Sequence, residues 1–210
     1  MSGWTTHEGL AVGLPLEGVD TDQLIPARFM STPRAQGYGG FLLHDIRRDA
    51  GGALRGDFPL NDSRADGASI LVARRNFGGG SSREAAAYAL LDAGYRAVVA
   101  PSFGDIFQGN AVNNGLLPAR VTEAEAEALL AALAAGPVPG AVDIGRGTLR
   151  VGEVSVPFTL APGAAEKLVN GWDDIDLTRH HQDRIGAFRD ALKRDRPWLW
   201  PGASAWRAGA

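Results

Sequence analysis

Two apolar runs of strand length, "ASILVA" (68–73) and "YRAVVA" (95–100), bracket a glycine loop and a helix-forming stretch, and together they leave the chain little freedom. Runs of this kind mark strands buried on both faces. Residues 84–93 are rich in helix formers, and Gly94 stands where a left-handed residue closes a helix. Strand, loop, helix and strand in about thirty-five residues make a βαβ unit, which crosses over right-handed and pairs its strands in parallel. The fold class is therefore α/β with a parallel core.

Downstream, "VTEAEAEALLAALAAG" opens with Thr122 and Glu125 spaced as a capping box and ends at Gly136, which predicts a helix. A hairpin is expected in "TLRVGEVSVPF", turning at Gly152 and Glu153, and two last helices over 162–170 and roughly 182–193. Upstream, "GLAVGLPL" and "VDTDQLIPARF" read as short strands and long loops, so more strand is expected in the N-terminal half. Residues 101–118 read as one long loop rich in asparagine and glycine, at the strand end where parallel sheets bind ligands. With 210 residues, 45% of them hydrophobic, residues 1–200 can bury the core of a single domain, and 201–210 read as a flexible tail. No repeat appears.

The chain has no cysteine, so it forms no disulfide and offers no thiolate to an iron-sulfur cluster or a structural zinc. Any such metal must come on another chain. The N-terminus lacks a basic region and an apolar core, and no membrane-length apolar run exists, which predicts a soluble cytoplasmic protein with no membrane partner. A net charge of -3 from interspersed charges argues against nucleic acid.

The glycine loop, "NFGGGSSRE", admits two readings. A loop between a parallel strand and a helix leaves N–H groups unpaired at the helix start, a place that attracts anions. Gly78, Gly79 and Gly80 let the backbone approach a ligand, Ser81 or Ser82 can cap the helix while the other hydroxyl is left for chemistry, and Arg83 can grip a carboxylate or phosphate in two places. The other reading is a flexible turn with a serine cap and a solvated arginine. A nucleotide site fits less well, because neither the Walker lysine nor the third dinucleotide glycine is present. Asp20 and Asp22 could orient a serine, bind a metal or cap turns. His7, His44, His180 and His181 fit no metal-ligand spacing, and the adjacent pair reads as a solvated helix entry. Trp198 and Trp200 read as a terminal segment packing on a surface, the chain's own or a partner's.

With these pieces in order, the chain resembles the family of 3-isopropylmalate dehydratase small subunits, which is similar to the swivelling domain of aconitase. The resemblance is carried by "VDTDQLIPARF", "GDFPLN", "ASILVARRNFGGGSSRE", "YRAVVAPSFGDIFQGNAVNNGLLP" and "LVNGWDDIDLTRHHQDRI", in the family's order.

It implies a three-layer β/β/α swivelling domain that closes over a large, cysteine-bearing subunit holding a four-iron four-sulfur cluster. The implied reaction is the reversible dehydration and rehydration of a 2-hydroxy diacid, 2-isopropylmalate to 3-isopropylmalate, in leucine biosynthesis, with the open iron as Lewis acid. By the family's serine-serine-arginine motif, Ser81 is the base, Ser82 and Arg83 bind a substrate carboxylate, and the loop backbone at Gly80 supports both. Thr21 and Asp22 match a threonine-aspartate pair that orients the site, and Arg34 lies in the stretch that reads the substrate's side chain. Family members usually carry cysteine at the position of Gly79 and histidine at that of Ala85. Those departures keep two alternatives open: a related hydro-lyase acting on a homoaconitate- or methylmalate-type diacid, and a non-catalytic paralogue.

Overall fold

The apolar runs at 68–73 and 95–100 do lie side by side in parallel, with Ile70 opposite Ala97, Leu71 opposite Val98 and Val72 opposite Val99. The structure, a computed structural model, describes residues 2–200. Seven strands form one sheet: β1 (Thr6–Leu14), β2 (Ala68–Ala73), β3 (Ala97–Ala100), β4 (Leu117–Arg120), β5 (Val138–Asp143), β6 (Thr148–Val151) and β7 (Val154–Pro157). Their order is β4-β3-β2-β1-β5-β6-β7, parallel from β4 to β1 and antiparallel from β1 to β7. Eight helices accompany them in the described residues: α1 (Thr21–Leu24), α2 (His44–Arg47), α3 (Ala85–Asp92), α4 (Asp105–Asn113), α5 (Glu123–Ala132), α6 (Ala164–Asn170), α7 (Asp174–His180) and α8 (Gln182–Asp195).

Side chains alternate across a strand, so the parallel strands feed two cores. Leu71, Ala73, Val98 and Ala100 face Leu24, Leu42, Leu90 and Phe107. Ile70, Val72, Ala97 and Val99 face Leu129 of α5 and Leu133 just after it, together with Val142, Leu149, Val151 and Val156 of the antiparallel strands. The antiparallel half thus folds over into the second core, giving the β/β/α layering. Its far end meets the other end of the sheet, because Arg120 and Thr159 exchange backbone hydrogen bonds of 3.1 and 2.8 Å.

The helix opening at Thr122 has the expected capping box, and the hairpin turns at Gly152. Two expectations are corrected. Residues 101–118 are not a loop, for they contain α4 and the start of β4. Burial of Phe107, Ala111 and Val112 outweighs the poor helix propensity of Gly109 and the asparagines. Strand is divided almost evenly between the halves, with β1 to β3 before residue 105 and β4 to β7 after it, and the span 21–65 holds short helical turns and an isolated bridge between Arg48 and Leu54.

The chain divides into two compact units, meeting between Asp173 and Asp174. In the second, α7 and α8 bury no residue, and Ile185 and Phe188 on α8 are exposed. His181 occupies the cap position of α8 with no side-chain capping bond, and the His180 and His181 rings meet edge to face at 5.2 Å. Trp198 is exposed, and the Lys193 ammonium lies 5.9 Å from the Trp200 ring. The expected flexible tail, 201–210, lies outside the described residues.

Candidate active site

Three loops leave the carboxyl ends of β1, β2 and β3 and zip together above the sheet. Gly78 N–H donates to Val19 O at 2.6 Å and Thr21 N–H to Gly79 O at 2.9 Å, while Phe77 N–H donates to Ser102 O at 3.0 Å and Gly104 N–H to Phe77 O at 2.9 Å. The glycine loop is therefore held on both sides up to Gly79, which the flexible-turn reading does not anticipate. Gly78 has φ +72°, and a Cβ there would lie 2.2 Å from Phe107 Cγ, so only glycine fits between the backbone and α4. Beyond it the chain opens. Gly80 has φ +91°, Ser81 and Ser82 are exposed, and among the described residues the N–H groups of Gly80, Ser81 and Ser82 have no hydrogen-bond partner.

Two residues of α1 then fix the two reactive side chains. Thr21 is buried, donates from Oγ1 to Ser81 O at 2.8 Å and lies 3.2 Å from Ser81 Oγ. A hydroxyl has one proton, so with Thr21 donating to the carbonyl, Ser81 O–H donates to Thr21. Asp22 pairs with Nη1 of Arg83, which also donates to Ile25 O at 3.2 Å. The Nε and Nη2 edge of Arg83 has no partner among the described residues and presents the bidentate fork to one side. Asp20 does not join them. Its carboxylate accepts from Gln23 N–H at 2.7 Å, and Gln23 Oε1 accepts in return from Asp20 N–H at 3.1 Å, a capping box that locks the single turn of α1.

The structure thus brings Ser81, Ser82, Arg83, Gly80, Thr21 and Asp22 together at one edge of the sheet. Arg34 is elsewhere: both its terminal nitrogens pair with Asp92, at 2.6 and 2.9 Å, at the far end of α3. Sequence reasoning missed Ser102, whose Oγ accepts from Asn76 N–H at 2.8 Å, and Asn76 itself, at φ +60°. An asparagine before a glycine run was the one available signal, since asparagine tolerates that conformation. Among the described residues no group of three or more histidines, aspartates or glutamates is placed to hold a metal, and no helix is long and apolar enough to cross a membrane. A separate cleft of about 460 Å³, lined by Val12, Leu130, Arg64 and Arg74 among others, contains no residue of this cluster, and its two arginines are paired with Asp62 and Glu127.

Comparison with known proteins points the same way. Residues 1–124 match the aconitase C-terminal domain family. A protein of Shewanella baltica named 3-isopropylmalate dehydratase small subunit is 44% identical over 198 residues, covering 92% of this chain and 98% of its own. One of the same name from Shewanella denitrificans is 46% identical over 193 residues, 90% of this chain and 96% of its own. In three dimensions the chain is similar to a crystal structure of 3-isopropylmalate dehydratase from Methanocaldococcus jannaschii, with a TM-score of 0.62, 22% identity, and coverage of 88% of this chain and 99% of that one.

Proposed function

The chain belongs to the family of 3-isopropylmalate dehydratase small subunits, built on the aconitase C-terminal domain, and from that membership we propose how its residues serve the reaction. The protein is the small subunit of a hydro-lyase that interconverts 2-isopropylmalate and 3-isopropylmalate, a step of leucine biosynthesis, in the cytoplasm. Its partner is a cysteine-bearing large subunit. The four-iron four-sulfur cluster of that enzyme does not fit this chain, which has no cysteine, and is assigned to the partner.

The single observation that carries the residue assignment is the double anchoring by α1, which fixes Ser81 through Thr21 and Arg83 through Asp22 and Ile25. Ser81 in its alkoxide form removes the proton from the carbon beside the hydroxyl-bearing one, and returns a proton to the other carbon during rehydration. The unpaired N–H groups of Gly80 and Ser82 stabilise the oxyanion. Thr21 can turn its O–H toward that oxyanion, so its role is to ease the ionisation of Ser81. Arg83 clamps a substrate carboxylate through its free edge, with Asp22 as orienter and Ser82 as a second donor. Arg34, bound to Asp92, acts on the substrate's side group through the segment that it fixes.

The test is co-expression with a large subunit from the same source, anaerobic rebuilding of the cluster, and measurement of isopropylmaleate by its ultraviolet absorbance. Turnover should require this chain. Ser81→Ala should lower kcat by about 10²–10⁴-fold while the subunits still associate. An unimpaired Ser81→Ala complex refutes the assignment of the base.

A further inference from the structure

We propose that Asn114 and Glu84 form a positioning pair for this reaction: the cap of α4 holds the carboxylate next to Arg83, and so fixes the outgoing end of the serine loop. The proposal rests on the reading of Ser81 and Arg83 given above. Asn114 Nδ2 donates to Glu84 Oε1 at 2.9 Å and also to Asn110 O at 2.9 Å, so the amide is anchored by its own helix where it meets the loop. Asn114 is the C-cap of α4 and half-buried, with its backbone N–H shared between Asn110 O and Ala111 O at 3.2 and 3.1 Å. Glu84 stands at the cap position of α3 in helical conformation, with φ −61° and ψ −30°, and its side chain makes no capping bond there. Its charge suits the start of α3, but its hydrogen bond goes to the neighbouring helix.

The serine loop is thereby held at both ends on one helix. At the incoming end Gly78 packs on Phe107, and Gly104 is so close that a Cβ there would lie 2.4 Å from Gly78 O and 3.0 Å from Gly79 Cα. At the outgoing end Glu84 is bound to Asn114, seven residues beyond Phe107 and about 10 Å further along α4. The reactive stretch from Gly80 to Arg83 spans the interval. Arg83 is tethered at its tip by Asp22 and Ile25 O, while the bond made by the next residue sets the position of its backbone. A guanidinium fixed only at its tip pivots as the backbone shifts. Fixed at both ends, it presents its Nε and Nη2 edge in one direction, which is what a carboxylate clamp requires.

The experiment measures the reconstituted two-subunit enzyme carrying Glu84→Ala, Asn114→Ala, both together, or Glu84→Gln, with 2-isopropylmalate as substrate. Each alanine variant should lower kcat/KM by about tenfold, chiefly through a higher KM, and the double should lower it no further. Glu84→Gln, which keeps an oxygen for Asn114 Nδ2, should restore the wild-type KM. A role confined to folding would reduce the active fraction, lowering kcat and leaving KM in place. An unchanged KM in the alanine variants, fully additive losses, or a Glu84→Gln enzyme no better than Glu84→Ala would overturn the proposal. Should the wild-type complex turn over no isopropylmalate, the functional reading fails instead, and hydrogen exchange in the chain alone decides the pair. The N–H groups of Ala86 and Ala87, which donate to Arg83 O and Glu84 O in the first turn of α3, should lose protection in Asn114→Ala, and retained protection would refute it.

Discussion

A serine hydroxyl is a poor base in water, and what distinguishes Ser81 from Ser82 is a buried neighbour. Thr21 lies against Ser81 from a position 60 residues away in the chain. Arg83 has the same relation to Asp22. The motif Ser81-Ser82-Arg83 stands out because it is contiguous, whereas Thr21 and Asp22 come from another loop: the family resemblance singled them out, but only the fold shows their contacts with Ser81 and Arg83. Arg34 illustrates the converse, since the family resemblance singled it out while its attachment to Asp92, away from the serine loop, was not legible. Another hydroxyl contact bears on stability in mild acid. His7 Nε2 lies 2.7 Å from Ser69 Oγ, and burial, followed by the nearby Arg96 charge, holds the imidazole below its ordinary 6.5. The folded chain binds this proton less tightly than the unfolded one, so the stabilisation is complete above pH 6.5 and is lost as pH falls through the lower native value. Thermal melts from about pH 7 to 5 should show a steeper loss of stability in the wild type than in His7→Gln. Parallel curves for the two would exclude His7 as the source.

At the scale of elements, the serine loop is a strand extension that takes one hydrogen-bonding neighbour from each adjoining loop before it breaks free at Gly80. Its hinge is Gly78, packed on Phe107, whose ring meets Phe77 edge to face at 5.5 Å. Gly78→Ala should destabilise the protein by about 1–3 kcal/mol through overpacking, with the cost of its left-handed backbone in addition. Denaturant titration measures this, and Gly80→Ala, whose Cβ would meet nothing closer than 3.5 Å, should cost less. Equal losses would show that backbone conformation, not contact with α4, sets the requirement. The helix α4 that makes this contact is also an element that sequence reading turned into a loop. Its pattern of glycine and asparagine is that of a turn, and what favours the helix is burial of Phe107, Ala111 and Val112, with Phe107 packed on Phe77 and Phe103 of the loops that follow β2 and β3. β2, α3, β3 and α5 were legible because each states its own period and its own ends.

For the molecule as a whole, all buried side chains of both cores precede Asp174. A chain ending at Asp173 should therefore unfold cooperatively with a midpoint close to that of the full chain, in thermal or denaturant melts. A large drop would mean that α7 and α8 stabilise the first unit. The parallel pairing of β2 with β3 follows from a short βα crossover and could be anticipated, whereas β1 reaches β2 only through the long span 15–67. The curl that brings β5 to β7 over the second core could not, because it depends on how α5 fills the space between strands far apart in sequence. That curl ends in the Arg120–Thr159 bridge, and Pro157 removes a donor from β7 beside it. A sheet whose two ends meet in this way offers little template for strand addition. Edge-to-edge polymerisation of such chains has correspondingly little free strand from which to start.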